Sequence, residues 1–440
     1  MTRKKDKKKK WYRLDNAATI YPVVMNRKWM AMFRLCATLD ETIDRETLAR
    51  ALRTTLRRMP TFSVCVKRGL FWFYLEELRG APPIEEDVAN PCLPIDMKRN
   101  NGFLFRVRCH EKRVALEFFH VLTDGTGGMR FLKTLVAEYL SMKHRIVIPR
   151  DSEILDCSMS PKPEELEDSF HKVAGKVTLA RKEPDAYRIN GTEEVDQFMN
   201  IVTGIADTAA IAGKAKAMNV SVTHYLAALL IQSIGDIQKK ELFRSRRHKP
   251  VKICVPVNLR KIFPSSTLRN FSSYVNPGVE YKYGDYTLEE IANAVKCYMG
   301  LEATPNKLRA KLSSNVEAET HPFLRHAPLF IKVQVMRAVY KATGDIQSSA
   351  LLSNLGTVTL PRIMERHVER FDFQLGPLFE NKVTCGLVSY RGKSYINFTR
   401  TIRETDTERG FFTRLVEEEI PVMIESNTRE RKLMESCHTA

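Results

Sequence analysis

No uninterrupted apolar run in this 440-residue chain approaches the roughly 18 to 20 residues needed to cross a bilayer, so the sequence predicts no membrane-spanning helix. Paired cysteines are missing too. The nine cysteines (Cys36, Cys65, Cys92, Cys109, Cys157, Cys254, Cys297, Cys385, Cys437) are scattered without a CxxC or a Cys/His cluster at zinc spacing, so neither a disulfide framework nor a metal site is expected. Glycine-rich nucleotide patterns of the dinucleotide or P-loop type are lacking, and so are RNP-like, helix-turn-helix and zinc-finger patterns. The opening residues, MTRKKDKKKK, hold no apolar stretch of a secretory signal, and the reading is a cytoplasmic protein.

What is present is ordinary globular composition, 43% hydrophobic and 28% charged, at a length that suggests one large domain or two lobes. Net charge is +18. Arg3 to Lys10 carries seven basic residues against one aspartate and reads as a solvated tail that can touch an anionic surface, while the remaining excess is spread out. That balance suits an anionic small molecule; no nucleic acid is expected as a partner.

Strand and helix patterns alternate along the chain. Residues 31–39 place Phe33, Leu35, Ala37 and Leu39 on one face at period two; Asp44 can then cap a helix with the stripe Leu48, Leu52, Leu56 and Met59, closed by Pro60. Hairpins are expected around Arg68-Gly69, Glu111-Lys112 and Arg391-Gly392. Helices are expected at about 129–143, 205–218, 222–238 and in TLEEIANAVKCYMG and ERGFFTRLVEEEI; strands are expected in EVDQFMNIVTG, VKICVPVNLR and ALLSNLGTVTL. The acidic, aperiodic stretch near 150–190 reads as a linker. Hairpin spacing argues for mixed or antiparallel sheets packed with helices rather than a doubly wound parallel sheet.

The stretch FFHVLTDGTGG holds the candidate site. His120 follows Val114, Leu116 and Phe118 on one strand face, and Asp124 and Gly125 enter a glycine-rich turn. Two readings stay open on these residues alone: a core histidine beside a turn, and a catalytic base. His224 reads as a core residue, and His321 and His326 have no carboxylate at useful spacing.

His120, Asp124 and Gly125 match H-x-x-x-D-G, and the chain here resembles the CoA-dependent acyltransferases that include chloramphenicol acetyltransferase, plant BAHD acyltransferases, nonribosomal condensation domains and bacterial alcohol acetyltransferases. VSVTHYLAALLIQSI, VPVNLRKIFPSSTLRNFSSYVNP and SNLGTV resemble further family segments in the same order, and the resemblance runs from about Trp11 to Ile424. Phe119 stands where condensation domains usually carry a second histidine, and DFQLG only partly echoes the plant DFGWG.

The resemblance implies an α/β (α+β) fold of two chloramphenicol-acetyltransferase-like lobes, each a mixed, mostly antiparallel sheet packed with helices, around a central tunnel. The expected division is a basic tail at 1–10, a first lobe at 11–175 carrying the motif, a second lobe at 176–428 and a polar tail at 429–440. It further implies His120 as general base, with no metal and no bound cofactor, acyl-CoA as co-substrate, and an alcohol or amine as acceptor. Asp124 would form a structural ion pair, with Arg260 the candidate partner; the alternative is a turn aspartate bonded to its own backbone. Ser353 and Asn354 are candidate oxyanion donors, against a strand-end bulge with satisfied polar groups, and Asn270 and Ser272 are candidate tunnel residues. A monomer is expected. An acyl carrier protein as donor, or a non-catalytic scaffold, are the competing readings.

Overall fold

The computed structural model describes residues 9–177, 183–321, 326–378 and 380–427; residues 1–8 of the basic tail and the polar tail at 429–440 lie outside them. Two large sheets carry the chain, with a three-stranded sheet beside the first. The first large sheet runs in the order Val368–Leu375, Met32–Leu39, Arg113–Phe119, Phe105–His110, Ile84–Glu86 and is antiparallel except for its last pair. In the second the order is Ser272–Val275, Val251–Asn258, Ala350–Thr357, Val383–Tyr390, Lys393–Arg400, Asn200–Asp207, Met423–Ser426, with Gly278–Val279 also on Val251–Asn258. Here only Ala350–Thr357 runs parallel to its neighbours. Both lobes are therefore mixed and mostly antiparallel.

Each sheet is covered where its apolar alternation faces a helical stripe. In the first, Leu48, Leu52 and Leu56 of helix Arg45–Arg58 and Phe131, Leu135 and Tyr139 of helix Gly125–His144 share one core with Phe33, Leu35, Leu116 and Phe118. The Asp44 carboxylate caps the earlier helix by accepting from the Glu46 amide. In the second, helices Val222–Lys239, Leu288–Glu302 and Asp406–Glu417 bring Leu226, Leu230, Ile291, Val295, Phe411 and Leu415 onto Ile253, Leu352, Leu387 and Phe398.

Three local expectations need correction. The helix after the motif starts at Gly125 rather than 129, because Asp124 caps it. The strand read at EVDQFMNIVTG begins only at Asn200, after a short turn at Val195–Gln197. Helices Pro305–Thr320 and Leu329–Thr343 and strand Val368–Leu375 were not anticipated. That last strand departs from the division into 11–175 and 176–428: it leaves the second lobe and pairs antiparallel with Met32–Leu39, from Leu375 opposite Phe33 to Val368 opposite Leu39. Without it, the outer backbone groups of Met32–Leu39 would lack partners.

Candidate active site

His120 closes strand Arg113–Phe119 and hands its amide to the Ala31 carbonyl at 2.8 Å. Its part-buried ring is stacked by Tyr21 at 5.1 Å and met edge-on by Phe33 at 5.1 Å. Nδ1 lies 3.0 Å from Oδ1 of the buried Asn270, which comes from the second half of the chain. The orientation of that amide follows from its other end, where Nδ2 donates to the His120 carbonyl at 2.9 Å and to Asp15 Oδ2 at 3.2 Å, both acceptors. Oδ1 must therefore accept from Nδ1–H, so Nε2 keeps its lone pair. Burial holds the His120 pKa below the ordinary histidine value, partly opposed by the Asp124 charge and the Asn270 bond.

Asp15 anchors this arrangement from below. It is fully buried, accepts from the Ala18 amide at 2.8 Å and has Arg269 Nε at 3.6 Å. Burial pushes its pKa up to about 7, against the pull of Arg269.

Both oxygens of the Asp124 carboxylate are engaged. Oδ1 accepts from the Gly127 amide at 3.0 Å, capping the helix, while Oδ2 accepts from Arg260 Nη1 at 2.7 Å and from the Phe271 amide at 2.8 Å. Burial alone would raise its pKa; the Arg260 charge and these hydrogen bonds outweigh burial and hold it below the ordinary carboxylate value. Arg260 in turn donates to the carbonyls of Thr267 at 3.0 Å and Arg269 at 2.5 Å, so one guanidinium ties the 267–271 loop to the motif. Thr123 Oγ1 adds a bond to the Leu268 carbonyl at 2.6 Å, and Asn258 Nδ2 one to Thr126 at 3.1 Å.

Glycine is required in this turn by close approach. A Cβ on Gly127 would stand 2.3 Å from the Leu268 carbonyl oxygen, which is backbone, whereas one on Gly125 would meet only the tip of the Leu355 side chain, at 2.7 Å. Leu355 belongs to strand Ala350–Thr357, whose two faces separate the candidate donors. Leu351 and Leu355 pack on the first-lobe core, with Ser353 between them, and the Ser353 hydroxyl makes no hydrogen bond among the described residues. Asn354 faces the other way: its Nδ2 donates to Thr223 Oγ1 at 3.1 Å and its Oδ1 accepts from Gly356 N at 2.8 Å, at a bulge where Gly356 has φ +81°. Its polar groups serve that bulge. Ser272 lies part-exposed opposite Asn258 at a strand start.

The remaining sequence candidates stand apart. His224 completes a capping box with Ser221 at the start of helix Val222–Lys239. His321 ends helix Pro305–Thr320, and His326 is exposed. Asp372 of DFQLG pairs with Arg370 at 2.8 Å. No group of side chains suited to a metal ion occurs among the described residues. Sequence reasoning missed Asp15 and Tyr21. Neither carries a local signal, since they reach His120 only through the fold; at Gly127 the glycines of the turn point to a close approach, and the structure adds its partner, a loop about 140 residues away.

No protein-family model and no curated protein matches the sequence. Solved structures do resemble it. TRI101 of F. graminearum, complexed with coenzyme A and deoxynivalenol, superimposes with a TM-score of 0.62 at 12% identity, over 91% of this chain and 96% of that one. The TRI3 trichothecene 15-O-acetyltransferase of Fusarium sporotrichioides gives 0.59 at 12% identity, over 92% and 94%. The first condensation domain of the calcium-dependent antibiotic synthetase, with a substrate analogue, gives 0.55 at 13% identity, over 94% and 99%. The chain therefore shares its overall fold with these acetyltransferases and condensation domains.

Proposed function

We propose that this protein is an acyltransferase that moves an acyl group from coenzyme A to an alcohol or amine, with His120 as general base. The observation that carries the reading is the Asn270 bond to Nδ1, which leaves Nε2 as the proton acceptor on a ring whose pKa burial keeps low. Such a ring stays neutral at neutral pH and can take a proton without first losing one.

In the reaction, the acceptor O–H or N–H gives its proton to Nε2 as the oxygen or nitrogen attacks the thioester carbonyl. The tetrahedral oxyanion collapses, the C–S bond breaks, and the thiolate recovers the proton from Nε2–H to leave as free thiol. His120 ends as it began. Ser353 supplies the hydrogen bond to the oxyanion; its support is a hydroxyl without a partner among the described residues, on the strand face turned to the first lobe. Asp124 and Arg260 position rather than react, because every oxygen of the carboxylate is already engaged by the cap, the loop amide and the guanidinium. Donor and acceptor enter a channel between the lobes, on a protein that works as a monomer.

The test is thiol release from acetyl-CoA and longer acyl-CoAs with a panel of alcohols and amines. We expect acceptor-dependent release that falls by roughly 10²- to 10⁴-fold in His120→Ala. Release only from a carrier-bound thioester would assign a condensation-type donor, and release unchanged in His120→Ala would overturn the mechanism.

A further inference from the structure

Helix Leu329–Thr343 is apolar on two sides. Val333, Met336 and Tyr340 pack on Val23, Val24 and Trp29. The opposite side leaves Phe330 66% exposed, together with Ile331, Val335 and Val339. Beside it stands the tip of the hairpin Val64–Glu77, where Leu70 is 73% exposed and Phe71 is also exposed. Helix and tip are joined: the Leu329 amide donates to the Leu70 carbonyl at 2.9 Å, and Lys332 Nζ donates to the Phe71 carbonyl at 2.8 Å while lying 3.7 Å over the Trp72 ring. The result is one continuous apolar face of a kind that soluble surfaces seldom leave open.

The segments that build it carry charge of a single sign. Residues 16–31, 66–73 and 326–344, which build the face and its support, contain no aspartate or glutamate. They expose Arg27, Lys28, Lys67, Arg68, Arg337 and Lys341, and none of these forms an ion pair among the described residues. A cationic rim around exposed aliphatic and aromatic side chains is the signature of contact with the interface of a negatively charged bilayer. No single described helix is long and apolar enough to span one.

We propose that this face docks onto an anionic lipid bilayer, with Leu70, Phe71, Phe330, Ile331, Val335 and Val339 in the headgroup–acyl boundary and the six cations on the lipid phosphates. A second copy of the chain fits poorly, since two-fold contact would set cations against cations with no carboxylate between them. Four of the six apolar side chains are aliphatic, so the face lacks the row of rings on which successive nucleic-acid bases stack. Behind this face, helix Tyr21–Val24 supports helix Leu329–Thr343 and carries the ring that stacks on His120 at 5.1 Å. Docking thus sets the site one helix layer from the membrane and directs it to a lipophilic acyl donor or acceptor; this last step rests on the acyltransferase reading, whereas docking does not.

Vesicle flotation of the full chain tests it, using phosphatidylcholine alone and phosphatidylcholine mixed with phosphatidylglycerol. Wild type should float with the anionic vesicles only. The combined variant Leu70→Ser, Phe71→Ser, Phe330→Ser, Val335→Ser, all at exposed positions and checked for an unchanged melting profile, should bind about tenfold or more weakly. Removing residues 1–8 should leave most of the apolar contribution in place. Absence of wild-type flotation, equal flotation of the combined variant, complete loss on removing 1–8 alone, or a wild-type dimer that the combined variant dissolves would each overturn the proposal. Flotation without any thiol release would leave docking standing and remove the acyltransferase reading.

Discussion

His120 differs from an ordinary strand-end histidine by one contact, the acceptor presented to Nδ1 by Asn270, and that contact is itself oriented by Asp15 and a backbone carbonyl. Asn270→Ala should lower kcat by about 100-fold with a smaller change in KM, because the ring loses its tautomer and its orientation. Steady-state kinetics beside a melting curve separate this from simple unfolding. Burial favours the neutral ring, so the acidic limb of kcat/KM should have its midpoint below the ordinary histidine value of about 6.5. A midpoint above that value would mean that the Asp124 charge, rather than burial, dominates.

Asp124 makes a matching case for stability. Replacing it by Asn leaves the Arg260 guanidinium buried without its charge partner, which should cost about 3–5 kcal/mol in urea unfolding. The folded-state pKa is depressed, so the stabilisation is fully present above the unfolded value near about 4 and fades as pH falls through the folded value. The wild-type minus Asp124→Asn difference should therefore shrink in acid and be constant near neutrality.

At the scale of elements, the local signals were legible where they are local. The hairpins at Glu111-Lys112 and Arg391-Gly392 need only two turn residues, and Glu111 at φ +45° and Arg391 at φ +48° adopt the left-handed backbone that such turns use, whereas the hairpin after Arg68 closes through the four residues 69–72. Helix Gly125–His144 was read short because glycines disfavour a helical first turn; the Asp124 cap and the space taken by Leu268 explain why they occur there. Gly127→Ala drives a Cβ to 2.3 Å from a backbone oxygen, and we expect a loss of about 1–3 kcal/mol with reduced activity, measured by unfolding and thiol release. Alternation does not reveal the burial of charge on one face of the first sheet: Arg34, Arg106 and Glu117 are all buried, with Arg34 at 3.0 Å and Arg106 at 2.5 Å from Glu117.

For the whole molecule, strand Val368–Leu375 makes the two lobes one folding unit. A chain ending before residue 360 keeps the entire H-x-x-x-D-G motif but exposes the edge of Met32–Leu39. It should be aggregation-prone and lack a cooperative melt, whereas the full chain should melt in one transition seen alike by circular dichroism and calorimetry. Two independent transitions in the full chain would show that the strand exchange does not couple the lobes.

The amino-acid sequence by itself determined the alternation of strands and helices, the mixed sheets, the hairpin turns and the place of His120 and Asp124, because periodicity, turn chemistry and a short motif act over a few neighbouring residues. Tertiary structure alone decided that Asn270 and Asp15 set the His120 tautomer, that Asn354 serves a bulge while Ser353 turns toward the first lobe, and that residues 368–375 complete the opposite sheet. Those outcomes depend on contacts between residues more than a hundred positions apart, where hydrogen-bond geometry and burial act across space and no local pattern records them.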